Sequence, residues 1–276
     1  MSGNKYIVYI NYIAYGKGLN LMFELNGKVA VVTGASSGLG AEAARAYAQN
    51  GAHVALLARR KEQLEAIASE LSGLGVTVLA VPCDLTDEEQ VKNAVEAVIA
   101  KFGRIDILLN NAGAAVSGGV HTLSQEDWDK SMNINVKGIF LACKYVVPHM
   151  MKQEYGKIVN VSSINARIAD KEDVFIRHGY NTSKSAVLGL TLGMAASYGK
   201  YNITVNSIGP GLFETEMTQN TLFKSEAFLK SYSAQCPMSR PGRKGEVNGT
   251  ILYFSSDASS YVTGQYVIID GGTSLV

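Results

Sequence analysis

The chain has 276 residues, 47% of them hydrophobic and 18% charged, with 28 Gly, 5 Pro and 3 Cys. This composition excludes collagen-like and disordered classes, and the length is enough to bury a core without disulfides or a structural metal. With 25 Lys+Arg against 24 Asp+Glu, the formal charge of +1 gives no field to recruit nucleic acid or an anionic membrane surface. Cys83, Cys143 and Cys236 are odd in number and widely spaced, with no C-x-x-C, which fits a reducing cytoplasm and argues against a disulfide framework or a zinc site. No uninterrupted apolar run reaches the roughly 18 residues of a membrane helix.

Residues 1–24 form an extension ahead of the first expected strand. Tyr6, Tyr9, Tyr12 and Tyr15 recur every third residue within YIVYINYIAY, interleaved with Ile7, Ile10 and Ile13. That period belongs neither to a strand nor to a helix. Lys5 alone precedes the run and Asn11 interrupts it, so it is a poor secretion signal. Two readings stay open. Met22 is the natural start and residues 1–21 lie upstream of it, or the tyrosines dock on a neighbouring subunit or over a substrate entrance.

From residue 25 to 276 the pattern alternates as one domain. KVAVVTG (28–34) is a β-branched run ending in Gly, hence a buried strand, and Ala41, Ala44 and Ala48 mark the inner face of the helix that follows and ends at Asn50-Gly51. A strand is expected over 53–58, a helix over 61–71 closed by Gly73, a strand over 76–84, and a helix over 87–103 capped by Thr86. A strand over 104–113 runs into a Gly-bearing turn. One long helical region is expected over 125–152, a strand over 156–163, a helix over 180–199, a strand over 203–211, helices within 216–256, and a last strand over 266–272. Nearly unbroken apolar strands separated by helices imply a three-layer α/β fold, a doubly wound, mostly parallel seven-stranded sheet with its ligand site at the carboxyl ends of the strands.

TGASSGLG (33–40) lies between the first strand and the first helix. Glycines there permit a tight turn, close backbone approach to a pyrophosphate and close helix packing, and the helix N-terminus then offers free N–H groups to the phosphates. Gly34-Ala35-Ser36-Ser37-Gly38 also matches the G-x-S-x-G hydrolase elbow. That elbow belongs to a central strand with sheet before it, and none of His53, His121, His149 or His178 lies on an evident strand-end loop near the C-terminus. A dinucleotide fold that selects NAD places an acid at the end of the second strand. Here Ala58 holds that place, followed by Arg59 and Arg60, and Arg59 has the fork geometry for a ribose 2′-phosphate. This favours NADP(H) and leaves NAD(H) open. The plainer alternative is that both arginines simply begin an exposed helix.

In their order and context, these motifs resemble the short-chain dehydrogenase/reductase family over residues 25–272. The residues that carry the resemblance are TGASSGLG, Asp84 closing the third strand, NNAG (110–113), Asn135 in MNINVKG, Ser163 closing VNVSS, Tyr180 and Lys184 in YNTSK, and Pro210-Gly211 with Thr215 in PGLFET. A Y-x-x-x-K pair alone is expected about once by chance in a chain of this composition. Its weight here comes from heading a helix just after the Ser163 strand.

The resemblance implies a Rossmann-like oxidoreductase that interconverts a secondary alcohol and a ketone. Tyr180 would exchange a proton with the substrate oxygen, Lys184 would hold the nicotinamide ribose, Ser163 would hydrogen-bond the substrate oxygen, and Asn135 would position a water behind Lys184. A nearby ammonium at i+4 is expected to lower the tyrosine pKa toward neutrality. Gly34, Ser36, Ser37, Gly38, Leu39 and Gly40 would line the pyrophosphate, with Arg59 near the ribose. Asp84 and Leu85 would flank the adenine, and Asn111, Ala112 and Gly113 its ribose. Pro210, Gly211, Leu212 and Thr215 would face the nicotinamide amide. No metal is implied, and the family assembles as a homotetramer, which points to helices in 125–152 and 180–199 as an interface.

Ser163 and Tyr180 are 17 residues apart, a few more than the family commonly shows. The extra stretch carries Arg167, Lys171, Arg177 and His178, either as a solvated loop or as contacts to a polar or acidic substrate. A second variable wall over 212–240 holds Leu212, Phe213, Met217, Phe223, Phe228, Tyr232 and Met238, either as the inner face of a lid or as ordinary packing. The charged stretch suggests a keto-sugar acid such as 5-ketogluconate, and the aromatic wall a hydroxysteroid or ketosteroid. A nonenzymatic NADP-binding redox sensor is the alternative of a different class. Such sensors lack Tyr or Lys of the pair, and both are present here.

Overall fold

A computed structural model of the chain describes residues 23–169, 175–219 and 222–276. The tyrosine repeat, Met22 and Lys171 lie outside these residues, as does the side chain of Met217. Seven strands form one sheet: β1 Val29–Thr33, β2 His53–Ala58, β3 Val78–Pro82, β4 Ile107–Asn110, β5 Gly156–Val161, β6 Ile203–Pro210 and β7 Tyr266–Ile269. Their spatial order is β3-β2-β1-β4-β5-β6-β7 and every pairing is parallel. The order reverses between β1 and β4, which makes their carboxyl ends the switch point where open α/β sheets bind ligands.

The helices are α1 Gly38–Gln49, α2 Lys61–Ser72, α3 Glu88–Phe102, α4 Gln125–Met132, α5 Gly138–Gln153, α6 His178–Tyr198, α7 Glu216–Gln219, α8 Glu226–Gln235 and α9 Asn248–Ser255. Strand alternation sorts the side chains between two cores. Val32, Leu56, Leu109 and Val159 meet Tyr47 of α1 and Phe254 of α9 on one face. Val31, Leu57, Leu108 and Ile158 meet Val95, Val146 and Val187 of α3, α5 and α6 on the other. Leu109 is fully buried in the shortest route between the two halves of the sheet, in register with Val32 and Val159. Leu109→Ala is expected to cost about 3 kcal/mol by transfer and cavity terms. In a chain of this size that is a fall in Tm of roughly 6–12 °C, measurable by scanning fluorimetry.

Two local expectations are corrected. Thr86 does not cap α3, because its hydroxyl donates to Asp84 Oδ1 at 2.8 Å. Asp87 is the cap instead, its carboxylate accepting from the Gln90 N–H at 3.1 Å. The long helix over 125–152 is interrupted by a π-turn at Asn133–Lys137 between α4 and α5. Such a widened turn often sits at a functional site, and this one carries Asn135.

Candidate active site

The carboxyl ends of β1, β2, β4, β5 and β6 open into one cavity of about 810 Å³. The glycine turn builds its floor. Gly34 (φ +64°) stands so close to the next turn that a Cβ would come 2.8 Å from Ala112 Cα, and only glycine satisfies both demands. The two turns are locked together: Asn111 Nδ2 donates to Thr33 O and Gly34 O at 3.1 and 3.2 Å, and Thr33 Oγ1 accepts from the Asn111 N–H at 3.0 Å. Ser37 precedes α1 without capping it, so the first N–H groups of α1 receive no bond from that side chain. Uncapped donors at a positive dipole end, a glycine-lined approach and a neighbouring Arg59 are a donor set that fits the phosphates of a dinucleotide.

Of the residues expected to bind cofactor, the cavity is lined by Gly34, Ser36, Ser37, Gly38, Leu39, Arg59, Asp84, Leu85, Asn111, Ala112, Gly113, Tyr180, Lys184, Pro210, Gly211 and Thr215. Gly40 and Leu212 are exceptions. Gly40 faces inward, where a Cβ would meet Asn111 Nδ2 and Gly34 O at 2.4 Å, so its role is close helix packing. Leu212 is buried, and its carbonyl accepts from the Gly242 N–H at 2.9 Å. Asp84 lines the wall while its Oδ1 accepts from the Thr86 N–H and hydroxyl.

Ser163, Tyr180 and Lys184 converge on the same cavity from β5 and α6. Ser163 hydrogen-bonds the Tyr180 phenol, and burial pushes that phenol above its ordinary pKa, with Ser163 and Arg177 pulling it back. Lys184 is buried, and its Nζ donates to Val161 O at 2.9 Å and lies 5.7 Å from the centre of the Tyr180 ring. The hydrogen bond that the ammonium makes goes to the Val161 carbonyl, and burial outweighs the neighbouring charges at the phenol. This corrects the expectation of direct activation. Burial itself drives Lys184 down to about 8.

Asn135 does not line the cavity. It is fully buried, its Oδ1 accepting from the Ala114 N–H at 2.8 Å and its Nδ2 donating to Ala114 O and Ser183 Oγ, both at 2.9 Å. A Cβ on Gly113 would sit 3.2 Å from Asn135 Oδ1 and 3.3 Å from Lys184 Nζ, so both flank this glycine.

The hydrolase elbow finds no histidine partner for Ser36, whose hydroxyl instead accepts from Arg60. Arg60, Glu216 and Tyr266 join the site from outside the recognised motifs. Arg60 was legible as the neighbour of Arg59 and Glu216 as the neighbour of Thr215, since both border recognised motifs. Tyr266 carries no such signal. Its hydroxyl donates to Ser163 O at 2.5 Å, across Gly209, where a Cβ would come 2.2 Å from the Tyr266 oxygen.

The two variable walls meet. Gly118 and Arg177 form an isolated parallel bridge, with the Gly118 N–H donating to Ile176 O at 2.8 Å. Phe175 packs on Phe228 of α8 at 5.3 Å between ring centres, and Phe228 on Tyr232 at 6.3 Å. The 212–240 side chains differ in exposure: Phe213 is buried and lines both the main cavity and a second one of about 310 Å³, while Met238 is exposed and borders only the second.

A doubly wound parallel sheet, a phosphate-type glycine turn at its switch point, and Ser, Tyr and Lys facing one cavity define a dinucleotide-binding oxidoreductase. A family model described as enoyl-(acyl carrier protein) reductase matches residues 34–274. The chain is 40% identical over 248 residues to a 3-oxoacyl-[acyl-carrier-protein] reductase of Thermotoga maritima, covering 90% of this chain and 98% of that one. It is 37% identical over 257 residues to the gluconate 5-dehydrogenase of Gluconobacter oxydans, with 92% and 97% covered. The crystal structure of a gluconate 5-dehydrogenase from Burkholderia cenocepacia in complex with NADP and tartrate superposes with a TM-score of 0.88 at 31% identity, over 94% of this chain and 100% of that one. The chain belongs to the short-chain dehydrogenase/reductase family. It is an NAD(P)-dependent oxidoreductase acting on CH–OH groups. No helix among the described residues is long and apolar enough to cross a membrane.

Proposed function

We propose that the protein is an NADP(H)-linked carbonyl reductase and secondary-alcohol dehydrogenase, with Tyr180 as general acid and base and a keto-sugar acid as substrate. The observation that carries this reading is the convergence of Ser163, Tyr180 and Lys184 on the cavity beside the glycine turn. A bound nicotinamide supplies or accepts the hydride. In ketone reduction the Tyr180 phenol donates its proton to the carbonyl oxygen as negative charge develops there, and the Ser163 hydroxyl hydrogen-bonds the same oxygen. The raised pKa of Tyr180 keeps that proton in place at neutral pH, which suits the reductive direction. Lys184, one helical turn from Tyr180, would hold the nicotinamide ribose and keep a positive charge near the phenol ring. Asn135 acts from behind by holding the Ala114 backbone and Ser183, and so the wall next to Lys184.

Two features support a polar, acidic substrate: Arg177, whose charge acts on the Tyr180 phenol, and the similarity to gluconate 5-dehydrogenases, one of them crystallised with tartrate. The Phe175–Phe228–Tyr232 cluster favours a second reading, a ketosteroid lying against aromatic rings. Arg59 on the cavity wall, with Ala58 where an acid would select NAD, supports NADP(H). The experiment is to follow the reduced-nicotinamide absorbance with NADPH and NADH in parallel against 5-ketogluconate, ketosteroids, small diketones and a 3-oxoacyl thioester. Turnover of the keto-sugar acid with at least about tenfold preference for NADPH supports the reading. An NADH preference contradicts the role of Arg59, and turnover confined to ketosteroids replaces the substrate class. Homotetramer formation belongs to the same proposal. Phe140 of α5 and Leu192 of α6, both about half exposed, would be covered by it.

A further inference from the structure

A charge pair joins the start of the 212–240 wall to the glycine turn. Arg60 forks onto Glu216, the first residue of α7, with Nη1 2.5 Å from Oε1 and Nη2 2.6 Å from Oε2. The same guanidinium donates to Ser36 Oγ at 3.2 and 3.0 Å and to Ser37 Oγ at 2.8 Å. Ser37 in turn hydrogen-bonds the Glu216 carboxylate, and these donors hold it at about 2. The neighbouring Thr215 presses on the same turn, its Cβ 3.3 Å from where a Gly38 side chain would begin. Arg60, Ser36, Ser37 and Glu216 all line the cavity. A bidentate guanidinium, a serine hydroxyl and the uncapped end of α1 form a site for a phosphate group, and the anion seated there is the protein's own carboxylate.

We propose that Glu216 sets the affinity for the dinucleotide: its carboxylate stands on Arg60 and Ser37 in the place of a cofactor phosphate, so that binding that phosphate displaces Glu216 and unclasps the start of α7. This rests on the dinucleotide reading of the cavity above. A phosphate carries more charge than a carboxylate and offers more acceptor oxygens, so it wins the exchange at a guanidinium. The displaced carboxylate is left facing like charge, which weakens binding relative to a neutral residue at 216. Two phosphates compete on these terms, the ribose 2′-phosphate beside the end of β2 and the pyrophosphate along the glycine turn.

Calorimetric titration of the full chain with 2′,5′-ADP and with ADP-ribose separates them. Glu216→Gln is expected to tighten 2′,5′-ADP by about tenfold at low salt. The gain should shrink as ionic strength screens the charge and vanish when Arg60→Ala is added. Tightening of 2′,5′-ADP alone assigns the competitor as the 2′-phosphate, and tightening of ADP-ribose, alone or together with 2′,5′-ADP through the shared 5′-phosphate, assigns the pyrophosphate. Unchanged or weaker binding of both by Glu216→Gln, and by Glu216→Ala as a second variant, with an unaltered Tm, overturns the proposal. Failure of either ligand to bind any form, wild type included, overturns the dinucleotide reading and the proposal with it.

Discussion

Tyr180→Phe is expected to lower kcat by about three orders of magnitude or more while leaving the Kd for NADPH within about twofold of wild type. The loss follows from the proton inventory of the site. Tyr180 carries the acidic O–H that faces the cavity beside Ser163, and general acid catalysis of this kind contributes roughly 10²–10⁴-fold. Ser163 hydrogen-bonds the phenol and has too high a pKa to replace it as a proton source. The ring itself stays, so packing against Lys184 is kept. Removing the hydroxyl costs its hydrogen bond with Ser163, about 1 kcal/mol, so Tm should fall by no more than about 2–4 °C. Steady-state kinetics on the best ketone of the panel, with NADPH fluorescence titration alongside, checks both halves. A variant that keeps more than about a tenth of wild-type kcat would move the proton-transfer role elsewhere.

Lys184→Met is the second large effect. The ammonium sits in an enclosed site with Val161 O as its hydrogen-bond acceptor, and burial takes its pKa from 10.5 to about 8. The folded chain therefore gives up this proton near pH 8, whereas the unfolded chain holds it to about 10.5. The cost of burying the charge is fully present below pH 8 and fades as pH rises from 8 to 10.5. At pH 7 that cost is of order 3 kcal/mol, partly offset by the bond to Val161 O. Replacing Lys184 with Met should thus hold or raise Tm while lowering kcat by about 10²–10³-fold. A lower Tm would mark the lysine as a structural strut. The same titration predicts that ketone reduction in the wild type falls away above about pH 8, as kcat/KM loses the Lys184 charge, and that Lys184→Met lacks this limb.

The fold was legible because its signals are local and repeated. Val29–Thr33 and Leu56–Ala58 are β-branched or apolar runs, each followed by a helix with a clear inner stripe, Ala41, Ala44 and Ala48 in α1 and Leu64, Ile67 and Leu71 in α2. The site was legible where a residue type is demanded by backbone geometry or acid–base chemistry, as at Gly34, Tyr180 and Lys184. It was less so where the result depends on distance. Spacing at i and i+4 puts Lys184 and Tyr180 on one helix face, yet only the folded chain shows the ammonium drawn to Val161 O. Gly40 reads as a phosphate contact in a motif, but the approach of Asn111 Nδ2 makes it a packing residue. The Arg60–Glu216 clasp joins residues 156 positions apart, and the Tyr266–Ser163 bond joins residues 103 apart. No pattern along the chain announces such pairs. The π-turn at Asn133–Lys137 was hidden because helical periodicity continues on both sides of it.

Single-turnover reduction tests the account most directly. Enzyme in excess over NADPH is mixed with the best ketone of the panel, and the reduced-nicotinamide band is followed in wild type and Tyr180→Phe. The account predicts that the wild type loses the band within one turnover, while the variant binds NADPH, as its fluorescence reports, and keeps the band at least about a thousand times longer. Equal decay in the two would contradict Tyr180 as the proton donor and with it the chemistry assigned to this cavity.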